Sequence, residues 1–575
     1  MSSISATISQ PKGRFYTMSQ WVAFLLFCST IIGVCSPATA QEFRKEALDS
    51  LLKQPERKRM PGYAVRILKN NEVIYTAQYG MANIRRKIPM GQASIMNIGS
   101  VTKQFTAYSI YLLEERGLLL TGNEIHTYLP ELPDFGHPIT LKHLLAHTSG
   151  LRDYPDMISL LNLSNNHNLQ YSEMVKFLRT HKELNFAPGE QFCYSNTGYM
   201  MLATVIERVS GMSYAQFLEQ EIFGPLEMKT AFVNEHIMSM QSDGTTNYLI
   251  NEAKTKAFKS RSHRDVIGAT GVFCSLEDLT RWNQLFVNHE TGISRSTIIA
   301  KMETSFGLSD GSNCHYGGGL ILKNYRGERV IEHSGGWGEY LTQYRRFPGQ
   351  GITIMIVTNS LLDSPFEICD KISNLLIRFN DQDHPEPLQF EGLSLGEMNG
   401  TYLSKDNIIR HVIGNDSTHN LRVYNSGKTV YSTYTLQNVE SLADQTTGLF
   451  FADSAGNKLV FHVLKDNTKQ FIWNAGTYFQ TKRVYTAVAP FTELTPAFEG
   501  KYYSKEMHRT VRVKYNRRKQ ELVFVLFRLI RYHMKPIGQS VFQVEIDDDP
   551  YIIRFTDNAF VFGNDWVYNI EVKRK

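Results

Sequence analysis

Cysteine is scarce, six in 575 residues, and two of the six, Cys28 and Cys35, stand in or beside an apolar N-terminal run. The other four, Cys193, Cys274, Cys314 and Cys369, are too widely spaced for a zinc pattern or for the dense disulfide framework of a small secreted domain. They are expected as buried thiols, with one optional bridge. Charge of a single sign is equally thin: Lys plus Arg number 61 against 56 Asp plus Glu, a formal net charge of +5. Residues 1–40 contain Lys12 and Arg14 and no acid, so 5 − 2 = +3 remains beyond them. So small and scattered a surplus excludes a nucleic-acid footprint. The N-terminal apolar run, Trp21 to Val34, is 14 residues long and broken by Ser29 and Thr30, short of the roughly 20 that span a bilayer.

What is present is a globular composition, 42% hydrophobic, 12% aromatic and 20% charged, enough apolar surface to offset the entropy of ordering. At roughly 100–200 residues per domain the length predicts two to four domains. Lys12 and Arg14 ahead of the apolar run, with Ala38-Thr39-Ala40 behind it, read as a secretory signal over 1–40 cleaved after Ala40. Export to the periplasm or beyond is the expectation, with a membrane met only through that segment if it stays uncleaved. Lipidation at Cys35 ranks second, because Val34 stands where a bacterial lipoprotein signal has Gly or Ala.

Tyr63–Leu68 and Glu72–Gln78 read as a hairpin across Lys69-Asn70-Asn71. Helical periodicity runs from Val101 to Leu120, with Phe105, Tyr108, Leu112 and Leu113 on one stripe, and recurs at Leu141–Ala146, Thr197–Val209, Ser213–Glu221 and Leu276–Phe286. Strand character returns at Arg329–Glu332, Leu341–Phe347 and Ile352–Thr358, before a helix whose Ile368, Ile372, Leu375, Leu376 and Phe379 share one face. The expectation is an α+β domain, 41–380, whose single antiparallel sheet is completed by both ends of the segment around a helical subdomain. A polar, two-proline stretch marks a linker at 381–389. Beyond it Gly400-Thr401-Tyr402-Leu403-Ser404-Lys405 recurs 100 residues later as Gly500-Lys501-Tyr502-Tyr503-Ser504-Lys505. An internal duplication into two small antiparallel β-barrels, 390–487 and 490–575, follows.

Three elements carry chemistry. Ser100-Val101-Thr102-Lys103 opens a helix after Gly99, and residues three apart on a helix are neighbours, so the Lys103 amine would sit beside the Ser100 hydroxyl. Desolvation and the positive helix end lower the amine's pKa and let it help remove the hydroxyl proton. Tyr194-Ser195-Asn196 follows the Pro188-Gly189 turn. A phenol near a lysine ammonium would titrate low enough to act as a general base, and the Asn196 amide would orient a substrate carbonyl or the lysine. His333-Ser334-Gly335-Gly336 leads into two strands, and the Gly336 N–H would pair with that of Ser100 as an oxyanion hole. His315-Tyr316-Gly317 is a competing H-x-G.

Taken in order, these elements resemble those of the serine β-lactamase and penicillin-recognising family, whose S-x-x-K, Y-x-N and K-T-G motifs meet in one cleft. The likeness is to its class C and D-aminopeptidase branch, and it covers about residues 50–380. Ile139 to Leu151, Pro188-Gly189-Glu190 and Gly268-Ala269-Thr270-Gly271 look similar as well. The resemblance implies that Ser100 is the acylated nucleophile, that Lys103 and Tyr194 share proton transfer, that Asn196 contacts substrate, and that His333 and Gly335 line the cleft. The duplicated region resembles the two C-terminal barrels of D-aminopeptidases.

His333 departs from the lysine of lactamases and carboxypeptidases. Imidazole is mostly neutral at pH 7, so substrate carboxylates would bind less strongly and aminopeptidase or esterase action is favoured. The implied function is an exported serine hydrolase of small peptides or peptidoglycan fragments, D-residues included, with no metal or organic cofactor. A sensor of cell-wall peptides and a β-lactamase are the alternatives. His143 and His147, four apart, would suit a metal only with a third ligand. Gly317-Gly318-Gly319 reads as a close backbone approach, and Gly211-Met212-Ser213-Tyr214-Ala215 as a loop between helices.

Overall fold

The computed structural model describes residues 37–52, 59–160, 170–234, 244–260, 266–287, 296–325, 327–379, 394–404, 409–415, 420–424, 430–441, 447–453, 458–463, 469–474, 483–489, 496–507, 509–527, 530–546, 549–564 and 567–575. Most of the expected export segment and the linker at 381–389 therefore lie outside the described residues. Helix α1, Pro37–Leu52, belongs to a unit of its own, Met1–Lys53, and runs through the expected cleavage point at Ala40. Among the described residues no helix is long and apolar enough to cross a membrane.

The second unit opens with the hairpin of β1, Tyr63–Lys69, and β2, Glu72–Tyr79. Its two-residue turn places Asn70 at φ 48° and Asn71 at φ 66°, left-handed values that asparagine tolerates and that match the twist of the flanking strands. The chain then forms α2, Thr102–Glu115, α3, Tyr154–Leu160, α4, Asn196–Ser210, and α5, Leu276–Val287. It finishes the domain with β3, Ile321–Tyr325, β4, Glu328–Trp337, β5, Tyr340–Phe347, β6, Ile352–Thr358, and α6, Pro365–Leu376. The sheet order is β3-β4-β5-β6-β1-β2, antiparallel throughout. Strand β1 pairs with β6 from Tyr63 opposite Thr358 to Lys69 opposite Ile352, so the two ends of the domain do close one sheet. Every residue of β6 is buried, with α5 and α6 packed on it. That burial explains its nearly unbroken apolar sequence.

Helix α2 departs from the expected single stripe. All residues from Thr102 to Leu113 are buried, because α2 lies between α4 and the helix Ser296–Met302 and also carries the turn that meets β4. Several of its polar side chains bond inside: Thr106 Oγ1 donates to the Gly268 carbonyl at 2.6 Å, Ser109 Oγ to the Phe105 carbonyl at 2.8 Å, and Gln104 Oε1 accepts from the Trp282 indole at 2.9 Å. Trp282 also stacks on Phe105 with ring centroids 4.2 Å apart. Cys193, Cys274, Cys314 and Cys369 are four buried free thiols.

The duplication is two closed barrels, each formed by eight strands in consecutive order, over Gly400–Ala487 and Gly500–Arg574. The repeated Gly-x-Tyr does the same job twice. Gly400 pairs with Val412 and Gly500 with Val513, while the Tyr402 hydroxyl donates to the Met398 carbonyl at 2.8 Å and the Tyr502 hydroxyl to that of Phe498 at 2.9 Å. Each tyrosine thus ties the first barrel strand to the turn before it. The second barrel is docked on the helical region, since Met157 and Leu160 of α3 share its apolar core. Arg152 pairs there with Glu506, and the Tyr568 N–H donates to Asn185 Oδ1 at 3.0 Å.

One buried charge cluster fixes the start of β4. Glu332, wholly buried, meets Lys323 on β3 and Arg345 on β5 and accepts from Gln343 at 3.0 Å. Burial raises its carboxyl, but Arg345 and Lys323 outweigh that and bring it down to about 2. A carboxyl held below its unfolded value stabilises the fold at pH above the ordinary carboxylate range, and the contribution is lost as pH falls toward 2. Glu332→Gln takes the carboxylate from Lys323 and buried Arg345, of which Arg345 keeps Asp370 at 2.7 Å, so it should destabilise the domain by about 3 kcal/mol. It should also flatten the acid side of the stability–pH curve, both read by denaturant titration.

Candidate active site

The serine turn is built by close backbone approach. Asn97 Oδ1 accepts from the Gly99 N–H at 2.8 Å, Gly99 takes φ 55°, and one turn of 3-10 helix, Gly99–Val101, leads into α2. A Cβ on Gly99 would lie 2.5 Å from the Gly336 nitrogen, and one on Gly335 1.9 Å from the Ile98 carbonyl oxygen. Strand β4 therefore lies directly against the backbone that carries Ser100, and only glycines permit it.

Lys103 projects from the first turn of α2 into a fully buried position. Its Nζ lies 3.1 Å from Ser100 Oγ, 2.9 Å from Asn196 Oδ1 and 3.0 Å from the Ala269 carbonyl oxygen. The last two atoms only accept, so each takes one N–H. An uncharged amine has two such hydrogens and one lone pair, and its lone pair then points at the Ser100 hydroxyl. Desolvation pushes the Lys103 pKa well down, opposed by the charge of Asp153. An ammonium would donate to Ser100 as well; desolvation favours the uncharged form, in which the lone pair faces that hydroxyl.

Tyr194 and Asn196 are brought to the same place, but the tyrosine's titration differs from expectation. Its phenol is hydrogen-bonded to the Ser100 side chain and its ring lies 4.6 Å from Lys103 Nζ. Burial pushes the phenol pKa far up, and the bond to Ser100 only partly opposes this. The expectation of a lowered phenol fails because desolvation, helped by the charge of Asp153, outweighs that bond. Tyr194 presents a protonated hydroxyl, not a phenolate, to Ser100. Asn196 opens α4 and, half-buried, faces the lysine, the second of the two roles foreseen for it.

His333 is corrected too. Its Nδ1 lies 2.6 Å from the Ser334 carbonyl oxygen and so carries the proton, which leaves Nε2 to accept from the Tyr316 hydroxyl at 2.9 Å. The ring is 2% exposed. Burial first, then the charge of Lys103, lowers its pKa to about 3. It is a neutral ring beside Tyr194, centroids 6.2 Å apart. Gly335 and Gly336 do stand beside Ser100. The competing H-x-G is in the site as well, since its Tyr316 holds His333 in its tautomer.

Sequence reasoning missed three contributors. His147 adopts φ 57°, accepts the Ser195 N–H on Nδ1 at 3.0 Å and lies against the Tyr194 ring at 4.1 Å. His143 instead accepts the Thr140 N–H, at 3.3 Å, in a helix cap, so the two histidines serve separate turns. Ala269 and Asp153 complete the surroundings of the lysine. The signals were the Ile139–Leu151 and Gly268–Gly271 stretches, legible as similar but mute about role. Gly317 and Gly319 make the expected close approaches, to the Met302 carbonyl and the Lys103 backbone. Gly211 and Ser213 cap the two helices of the expected loop. Gly335→Ala should force β4 away from the Ser100 turn. Displacement by an ångström at a reacting centre costs about 100-fold in rate; a loss of that order in Ser100 acylation, with the far-ultraviolet circular dichroism unchanged, is the expected result.

With that geometry established, comparison with known proteins is informative. The family model described as Beta-lactamase matches residues 46–374. Penicillin-binding protein 4* of Bacillus subtilis (strain 168) is 30% identical over 316 residues, 52% of this chain and 68% of that protein. D-aminopeptidase of Gluconobacter oxydans (strain 621H) is 27% identical over 320 residues, 55% of this chain and 59% of that one. The octameric penicillin-binding protein homologue from Pyrococcus abyssi shares the fold at TM-score 0.51 and 24% identity, over 78% of this chain and all of that one. From its serine turn to the strand that lies against it, this chain belongs to the Beta-lactamase family.

Proposed function

We propose that the protein is an exported serine hydrolase that cleaves amide or ester bonds of small peptides or peptidoglycan fragments, D-residues included, through an acyl-enzyme on Ser100. The observation that supports it is the buried Lys103 amine, 3.1 Å from Ser100 Oγ with its two other neighbours fixed as acceptors. Lys103 takes the Ser100 proton as Oγ bonds to the acyl carbon, and the Ser100 and Gly336 N–H groups receive the oxyanion. The proton passes through the neutral Tyr194 hydroxyl to the departing amine or alcohol as the scissile bond breaks. Water then adds to the acyl carbon, gives its proton back along the same route, and Ser100 leaves.

The chemistry of the pocket favours particular substrates. His333 is neutral and Lys103 is held well below the usual lysine range, so neither basic group at the site offers a fixed cation to a substrate carboxylate. That supports aminopeptidase or esterase action over carboxypeptidase and β-lactamase action, and it fits the D-aminopeptidase name of one relative. Export rests on the N-terminal sequence pattern.

A fluorophosphonate probe should add to Ser100 of the full chain, and Ser100→Ala should abolish labelling; an adduct on another residue would defeat the assignment. Because the lysine works as the free base, labelling should stay fast at pH well below 10.5 and fall only on the acid limb where Lys103 protonates. Release of product from a panel of D-amino-acid amides and esters supports the hydrolase. Stable stoichiometric acylation without turnover would point to a sensor.

A further inference from the structure

Asn196 presents its carbonyl oxygen to Lys103, yet an amide side chain is nearly symmetric and nothing in its own shape decides which end faces the lysine. The decision lies in what the other end meets. Asp153, 1% exposed, accepts from Asn196 Nδ2 at 3.2 Å through Oδ2, and from the backbone N–H groups of Asn196 and Thr197 through Oδ1. A carboxylate has only acceptors to offer, so the NH2 end must turn toward Asp153 and the oxygen toward Lys103. The segment is stapled in place: the Tyr154 N–H donates to Thr197 Oγ1 at 2.6 Å, which in turn donates to the Arg152 carbonyl at 3.1 Å. Burial raises the Asp153 carboxyl, while Asn196, Thr197 and Lys103 act against this.

We infer that Asp153 is a positioning residue for catalysis: by orienting the Asn196 amide it aims the Lys103 lone pair at Ser100. This rests on the serine hydrolase reading above. If Asn196 were reversed, it would offer an N–H where the lysine needs an acceptor, and the lone pair would be drawn away from the hydroxyl. The other titratable groups facing Lys103 are Tyr194, Tyr199 on α4, His147 and, from β4, His333. The two phenols are pushed up and the two imidazoles down by burial, and Asp153 is the carboxyl of this set, hydrogen-bonded by three N–H groups. Arg152, next in sequence, is turned away to Glu506.

The test is the second-order rate of Ser100 labelling by a fluorophosphonate, measured on the full chain from pH 5 to 10. Asp153→Asn sets amide against amide and lets Asn196 reverse; labelling should drop roughly 10- to 100-fold and its acid limb should move down, since a nearby negative charge is gone. The exchange Asp153→Asn with Asn196→Asp puts an acceptor back opposite Lys103. It should recover much of the rate at high pH, with the acid limb moved above that of the wild type because a carboxylate now touches the amine. A carboxylate that merely caps α4 would lower the unfolding midpoint without moving the limb, and the exchange would recover nothing. Labelling of Asp153→Asn within threefold of wild type, on an unmoved limb, overturns the inference. Should Asp153→Asn not fold, Asn196→Ala keeps the helix cap and removes the oriented amide; loss of labelling at an unchanged unfolding midpoint supports the inference and wild-type labelling overturns it. Failure of the wild type itself to label at Ser100 would instead defeat the hydrolase reading.

Discussion

A lysine amine buried in protein must either find compensation for its charge or give the charge up, and desolvation at Lys103 pushes toward the second outcome. Two obligate acceptors, Asn196 Oδ1 and the Ala269 carbonyl oxygen, take its hydrogens at 2.9 and 3.0 Å, and the serine lies in the remaining direction. Much of the domain serves that one atom. Helix α2 is buried all round so that its first turn is sealed from water. The Gly268–Gly271 stretch enters to bring up a carbonyl, and α4 begins at Asn196 so that its first side chain faces the amine. Strand β4 presses on the turn from the other side through Gly335 and Gly336. Removing water from this point lowers the amine's pKa and strengthens every remaining dipole acting on it.

What the sequence made legible was what local periodicity and spacing determine. The hairpin at Asn70-Asn71, the sheet closed by both ends of the domain, and the repeated Gly-x-Tyr were all readable because each rests on a backbone rule acting within a few residues. The pairing of Ser100 with Lys103 was readable for the same reason, being one helical turn. The chemistry of Tyr194 was not. Its phenol was expected low beside an ammonium, yet desolvation acts on both groups at once, and how far each is buried is a property of the assembled core. His333 was judged by its own ordinary pKa, while its state is set by burial and its Nε2 is met by Tyr316, 17 positions earlier in the chain. Asp153 escaped notice, and His147 was read only as a metal candidate, because their partners, Asn196 and Ser195, are 43 and 48 residues away. Neither residue shows a spacing that announces such a bond.

The barrels meet this centre through the chain segments that hold it. Cys193, next to Tyr194, shares an apolar cluster with Phe186, Tyr402 and Val412 of the first barrel and Tyr568 of the second. Arg152, next to Asp153, pairs with Glu506 of the second barrel. Both contacts fall one residue from a group at the lysine, on the side away from Ser100. Burial raises the Glu506 carboxyl to about 7, with Arg152 opposing. A carboxyl raised in the folded state favours folding most below its unfolded value, and that contribution fades as pH climbs toward 7. The docking of the barrel is thus least burdened by charge in mildly acidic solution.

The replacement of a cationic lysine by His333 has a consequence for the whole pocket. A lysine at that point would offer a permanent positive charge to a substrate carboxylate and would also oppose protonation of Lys103. Imidazole held neutral by Tyr316 and by burial does neither strongly, which leaves the amine's state to desolvation and to Asp153. An enzyme that recognises a carboxylate needs the cation; one that recognises an ester, an amide or a free amino group does not, and a positive charge would repel the last of these. On the hydrolase reading proposed above, a histidine here would weaken one class of substrate and admit the other. It would do so by changing the field at the site and not its shape, because the backbone of β4 meets the serine turn glycine to backbone.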